Sequence, residues 1–138
     1  TTALEPGELV VAIEVPAPPP NSGMAHLRLA FHERPAVTVS CLVQVVDGRI
    51  AETRIAVGSV GVSPVRVPEG EALLLDQDAA DPDPGAIAAA GAAAVTASDP
   101  VADANGSAEY KRHLVGVMVG RAVRAAIADA QGRAGVAA

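Results

Sequence analysis

The sequence predicts an α+β domain: an antiparallel sheet of three to four strands, followed by about three helices packed on one face of the sheet. Three observations predict it. Runs alternating apolar and polar residues fill the first half of the chain, which is the period of half-buried strands. An Asp-Gly pair at 47–48 separates two of these runs, the strongest short-range hairpin signal. After Gly61 the alternation gives way to Ala-rich segments with capping residues. Strands first and helices after is the order of an α+β sandwich.

The elements follow in chain order. Leu9 to Val15 is a short, β-branched apolar run closed by Pro16, and reads as a strand. "PAPPPNSG" is a stiff loop, because prolines fix the backbone and cannot donate to a sheet. Ala25 to His32 alternates, with Leu27, Leu29 and Phe31 on one face and His26, Arg28 and His32 on the other. Ala36 to Val46 alternates again, with Val37, Val39, Cys41, Val43 and Val45 on one side. Arg49 to Val57 is the return strand of the hairpin.

A loop then leads to a short helix at about Glu69 to Asp76. Asp83 is the N-cap of the next helix, with Pro84 at its first position and Pro100 beyond its end. A last helix starts near Ser107 and runs to about Gln131, with Gly132 as its stop. On it, Tyr110, Leu114, Val117, Met118, Arg121 and Ala125 are expected on one side. The strands thus fall within 9–57, the helices within 69–131, and residues 1–138 form one domain.

Composition narrows the function. Half the residues are hydrophobic, which is globular rather than disordered. The apolar residues are mainly Ala and Val, with one Phe, one Tyr and no Trp, so the core is expected to use small side chains in close contact. The net charge of -6 and the scarcity of aromatics argue against nucleic acid, whose binding draws on Lys, Arg and stacking rings. No run approaches the length of a membrane span, so no membrane insertion is expected. The single cysteine, Cys41, forms no internal disulfide and fits a reducing, cytoplasmic setting. The chain opens "TTALEPGELVVAIEVP", without Met and with strand-like sequence almost at once, and reads as a C-terminal piece of a longer protein.

Charge is unevenly placed. Residues 69–109 hold nine Asp or Glu and no Lys or Arg, whereas residues 110–138 hold five Lys or Arg and one Asp. Solvated helix faces account for this, and a docking surface for a charged partner is the sharper reading.

Catalytic chemistry is sparse. His26, His32 and His113 lack metal-ligand spacing with one another, with Cys or with carboxylates. Cys41 sits on the valine-rich face, as an inert buried thiol would. "VGSVG" lacks the spacing and the following helix of a dinucleotide-binding turn. No catalytic residue and no metal ligand is assigned.

Three motifs, in order, carry a family resemblance. They are "TALEPGELVVAIEVPAPP", then "HLRLAFHERPAVTVSCLVQVVDGRIAETRIAVGSVGVSPVRVPEGEALL", then "SAEYKRHLVGVMVGRAVRAA". The chain resembles the C-terminal domain of the FAD-binding, medium subunit of molybdenum hydroxylases, the carbon monoxide dehydrogenase, xanthine dehydrogenase and aldehyde oxidase group. The resemblance implies an oxidoreductase complex in which electrons pass from iron–sulfur clusters to FAD and on to an external acceptor. It implies that most FAD contacts come from N-terminal FAD-binding domains of the same polypeptide. Molybdopterin and the iron–sulfur clusters would belong to separate large and small subunits.

It also implies site residues. The position matching His26 is often a Tyr over the isoalloxazine, that matching Arg28 is often a Lys near the flavin, and that matching Val10 can touch it. The closing helix would be structural, with Tyr110 packing its ring and Arg112 and Arg121 anchoring the helix to loops or neighbouring domains. Two alternatives remain: a stand-alone scaffold or dimerisation module without cofactor, and an unrelated small binding or enzyme domain. The lack of convergent polar residues weighs against the last.

Overall fold

The computed structural model describes residues 3–31 and 33–136, with side chains to residue 132. His32 therefore lies outside the described residues. Four antiparallel strands, β1 (Ser22–Ala30), β2 (Pro35–Val46), β3 (Arg49–Gly58) and β4 (Val65–Arg66), form one sheet in the order β1-β2-β3-β4. Three helices follow: α1 (Pro68–Ala72), α2 (Pro84–Ser98) and α3 (Ala108–Val136).

The hairpin forms where Asp-Gly places it. Asp47 and Gly48 both take positive φ, 50° and 78°, which matches the twist of the strands they join. Thr38 to Gln44 then pair with Glu52 to Gly58, with a register shift after Gln44. Val37, Val39, Cys41 and Val43 of β2, with Ile55 and Val57 of β3, are buried beneath the helices. β1 joins in antiparallel register, His26 opposite Ser40 and Arg28 opposite Thr38.

Asp83 caps α2, its carboxylate accepting from the N–H groups of Gly85 at 2.9 Å and Ala86 at 3.2 Å, with Pro84 following. Ser107 caps α3, its hydroxyl oxygen accepting from Tyr110 N–H at 3.1 Å. Small residues let these helices approach closely. A Cβ built on Gly91 of α2 would lie 3.0 Å from the Gly116 carbonyl of α3.

Several expectations are corrected. No strand forms at 9–15; that segment is an extended arm, and Leu9, Val11, Ile13 and Val15 are exposed. Its apolar residues fall on both sides, so it needs cover on both faces, and this domain has helices on one face of its sheet only. The fourth strand is instead β4, in a stretch expected to be loop. The short helix ends at Ala72 rather than Asp76. α3 continues through Gly132 to Val136, because one Gly costs a helix only about 1 kcal/mol and no Pro stops it.

The buried face of α3 also differs. Lys111, Val115, Met118, Val119, Ala122, Val123, Ala126 and Ala130 point inward. Of the expected face, only Met118 is buried; Leu114 is half-buried, and Tyr110, Val117, Arg121 and Ala125 are exposed. Ala and Val surround this helix, so its apolar period is blurred. Tyr110 is 40% exposed and lays its ring against Gly106. Arg112 and Arg121 stand exposed.

Candidate functional site: the open face of the sheet

The helices cover one face of the sheet and leave the other open. Strand alternation assigns the residues. Gly23 of β1 abuts the α3 backbone, so Met24, His26 and Arg28 project from the opposite face. Cross-strand register then lines up His26, Ser40, Ala56 and Arg66 in one row, and Met24, Leu42 and Arg54 in the next.

His26 and Arg28 thus share a face, as their spacing implied, and both are exposed. The Nδ1 of His26 lies 2.8 Å from Ser40 Oγ, which fixes the ring against the sheet. Arg28 Nη2 donates to the Glu33 carbonyl at 2.7 Å, holding the guanidinium over the end of β1. Val10 is not brought to them by any described contact. It lies on the arm, 65% exposed.

The later part of the arm crosses this face. Val15, Pro16 and Pro18, with Met24, Leu42, Ala56 and the two arginines Arg54 and Arg66, line a trough of about 440 Å3. Both arginines are already engaged. Arg54 bonds Glu52, and Arg66 grips Glu71 with two bonds of 2.8 Å. Glu71 Oε1 also accepts from the Ile55 N–H at 2.8 Å, standing in for a strand where β4 turns away. Partial burial pushes the Glu71 carboxyl up, but the Arg66 guanidinium and the Ile55 N–H outweigh it and hold the carboxyl below its usual range.

Three of the nine carboxylates of the acidic stretch link or cap elements of the domain. Glu71 ties α1 to β3, Asp83 caps α2, and Asp103 meets Lys111 at 2.7 Å. These three residues brace the domain, Asp83 and Asp103 from exposed positions, and the other six carboxylates of the stretch carry the rest of its charge.

Cys41 is 2% exposed. Burial, reinforced by the nearby Glu71 charge, pushes its thiol up to about 12. Such a thiol is almost wholly protonated at pH 8, so alkylation by iodoacetamide should run about a thousandfold slower in the folded protein than in urea. Equal rates in both states would show that Cys41 is not enclosed by the sheet and helices.

The sequence places His26 and Arg28 on one strand face, as the structure does, but gives no sign of the trough. Its walls come from the arm and from strands up to about fifty residues further on, and the composition of the arm is that of a strand. Among the described residues, no group of His, Cys, Asp and Glu could hold a metal ion. No described helix is long and apolar enough to cross a membrane.

The comparisons with known proteins agree with this architecture. The model of the CO dehydrogenase flavoprotein C-terminal domain matches residues 29–126. The chain is 34% identical, over 136 residues, to the carbon monoxide dehydrogenase medium chain of Afipia carboxidovorans, covering 94% of this chain and 45% of that protein. It is 33% identical over 129 residues to the 6-hydroxypseudooxynicotine dehydrogenase complex subunit alpha of Paenarthrobacter nicotinovorans, covering 91% and 43%. The reconstituted CO dehydrogenase from Oligotropha carboxidovorans superposes with a TM-score of 0.86 at 30% identity, over 94% of this chain and 45% of that one. The chain therefore spans less than half the length of these relatives. With the family model matched over residues 29–126 and a relative 34% identical over 94% of the chain, this chain belongs to the CO dehydrogenase flavoprotein C-terminal domain family.

Proposed function

We propose that this chain is the C-terminal domain of the FAD-binding subunit of a molybdenum hydroxylase-type oxidoreductase. The observation that carries the reading is family membership over most of the chain, joined to an open sheet face that presents His26 and Arg28 side by side. The full complex would pair this polypeptide with a large molybdopterin subunit and a small iron–sulfur subunit. The upstream part of the polypeptide would hold most of the FAD. The lone buried cysteine supports a reducing, cytoplasmic setting.

The residues fit a wall rather than a whole cofactor site. No Gly-rich phosphate cradle was found in the sequence, so the nucleotide end of FAD has no holder here. The open face does offer a flat, partly apolar surface with an imidazole and a guanidinium on it. Bound FAD would supply the electron relay between the iron–sulfur clusters and an external acceptor. His26, steadied by Ser40, can cover one side of an aromatic ring system. Arg28 places a fixed positive charge beside it, and such a charge favours an anionic form of any neighbouring ring. Val10, on the arm, would add an apolar contact. The domain positions and tunes; it carries no proton or bond-making step of its own.

The test uses the full-length polypeptide with its native partners. Arg28→Gln is expected to lower the flavin reduction potential by a few tens of millivolts, consistent with losing about 1 kcal/mol of charge interaction. His26→Ala is expected to alter the visible flavin spectrum while leaving the flavin content unchanged. Native protein without flavin would sink the reading, and the cofactor-free scaffold would replace it. Flavin present but indifferent to both substitutions would remove His26 and Arg28 from its surroundings.

A further inference from the structure

The closing segment 110–138 holds five Lys or Arg against one Asp. Lys111 spends its charge on Asp103 inside the domain. His113 and Arg121 instead line, with Arg28, a groove of about 370 Å3 between α3 and β1. Among the described residues, no carboxylate forms an ion pair with any of the three. Leu27 and Leu29 of β1, with Leu114 and Val117 of α3, give the groove an apolar floor. Glu109 lies one turn before His113 and Asp129 about two turns beyond Arg121, so the basic stretch has acidic ends.

The groove runs along an unpaired strand edge. β1 is the outermost strand of the sheet. Its Met24 N–H faces away from β2 and donates to the Asp129 carboxylate at 2.9 Å. Outward-facing amides recur every two residues in an antiparallel edge, so the N–H and C=O groups of His26 and Arg28 face outward as well. No described strand pairs with them. β1 holds no Pro, and its register shifts only after Leu29, so its backbone does nothing to block strand addition.

We propose that a separate polypeptide docks here through an extended segment carrying carboxylates and apolar side chains. The segment adds a strand at the His26 and Arg28 amides, lays its apolar side chains between β1 and α3, and sets its carboxylates against the basic rim. The bond from Met24 N–H to Asp129 already shows a carboxylate serving this edge.

Charge and chain path select this occupant. A second copy paired edge to edge about a two-fold axis would set Arg28, His113 and Arg121 against the same three residues, a like-charge contact. The upstream chain is led elsewhere. Val15, Pro16 and Pro18 cross the open face beside Leu42, Ala56 and Arg66, over β2, β3 and β4, which leaves the outer edge of β1 to another chain.

Hydrogen exchange at the His26 and Arg28 amides tests the proposal, on the native assembly and on the same full-length polypeptide freed of its partners. In the assembly these amides are expected to exchange at least about a hundredfold more slowly than in the freed polypeptide. Arg121→Glu, at an exposed position, should cut that protection at least about tenfold. Arg112→Glu, exposed on α3 but outside the groove, should leave it unchanged. Added to the freed polypeptide, the peptide acetyl-Glu-Val-Glu-Val-Glu-Val-amide should slow exchange at both amides, and its counterpart with Lys in place of Glu should not. Free exchange in the assembly would overturn the docking. Protection kept by the freed polypeptide would overturn it too, since its own chain would then cover the edge, and so would protection that grows with its concentration, which means a second copy. Two peptides that act alike, or protection indifferent to Arg121→Glu, would overturn the acidic chemistry on which the proposal depends. None of these readouts needs bound flavin, so the docking stands or falls apart from the flavoprotein reading.

Discussion

Gly23→Ala is expected to destabilise the protein by at least about 3 kcal/mol, among the costlier small-to-large changes. A Cβ built on Gly23 would lie 2.1 Å from both the Ala126 carbonyl oxygen and the Ala130 nitrogen, and 2.8 Å from the Ala130 Cα. All three atoms belong to the backbone of α3, so no side chain can rotate aside. β1 cannot simply retreat either. Its register with β2 runs from Ser22 onward, and the next amide, Met24 N–H, donates to the Asp129 carboxylate at 2.9 Å. The strand and the helix are locked against each other at this point, and the added methyl must break one lock.

The measurement is the urea midpoint of Gly23→Ala against that of Gly132→Ala. A Cβ at Gly132 meets nothing within 4 Å, and the position is helical, so that change should stabilise by about 0.5–1 kcal/mol. Opposite signs at the two glycines are the expected result. A loss under about 0.5 kcal/mol at Gly23 would mean that β1 and α3 do not approach this closely.

The same contact shows why some of this fold was legible and some was not. Local signals worked where the cause is local. Asp47-Gly48 needs positive φ at both positions, Asp83-Pro84 is a cap followed by a first-turn proline, and Ser107 offers its oxygen to Tyr110. Those features, and the alternation of β2 and β3, are written within a few residues. The arm failed because strand composition fits any half-buried surface, and whether such a surface exists depends on what packs above it. β4 is two residues long and exists because Glu71, five residues on, holds both Arg66 and the Ile55 amide. The inward side of α3 is not legible because Ala and Val carry little periodic contrast. The charge count of 110–138 groups Lys111 with the arginines of α3, and nothing within a few residues marks it as the buried one.

That lysine carries the second large effect. Lys111 is fully buried, and its Nζ lies 2.7 Å from Asp103 Oδ2, while Asp103 remains partly open to water. The loop is built to present this carboxylate. Asp103 and Gly106 exchange backbone hydrogen bonds of 3.1 Å, and Asn105 N–H donates to Asp103 Oδ1 at 2.8 Å. Lys111→Ala should cost about 3 kcal/mol, because it empties the space of a long buried stem. Lys111→Met keeps the stem and removes the charge, and should cost much less, since a buried ion pair adds little over a well-packed apolar side chain. Asp103→Asn should be worse than Lys111→Met at neutral pH, because it leaves an ammonium in the interior without a counter-charge.

The pH dependence has a definite sign. The Lys111 ammonium at 2.7 Å, then the Asn105 N–H, holds the Asp103 carboxyl below its ordinary range. A carboxyl depressed in the folded state contributes stability that is present above its unfolded value, near pH 4, and is lost as pH falls through the folded value. The gap in urea midpoint between native protein and Asp103→Asn should therefore be full at pH 7 and shrink steadily below pH 4. Lys111→Met should lose the same acid-sensitive part, since its Asp103 no longer has a cation to hold it ionised. A gap that stays constant from pH 7 to pH 3, or equal losses from Lys111→Met and Asp103→Asn at pH 7, would mean that the ammonium reaches water and that α3 is not anchored through this pair.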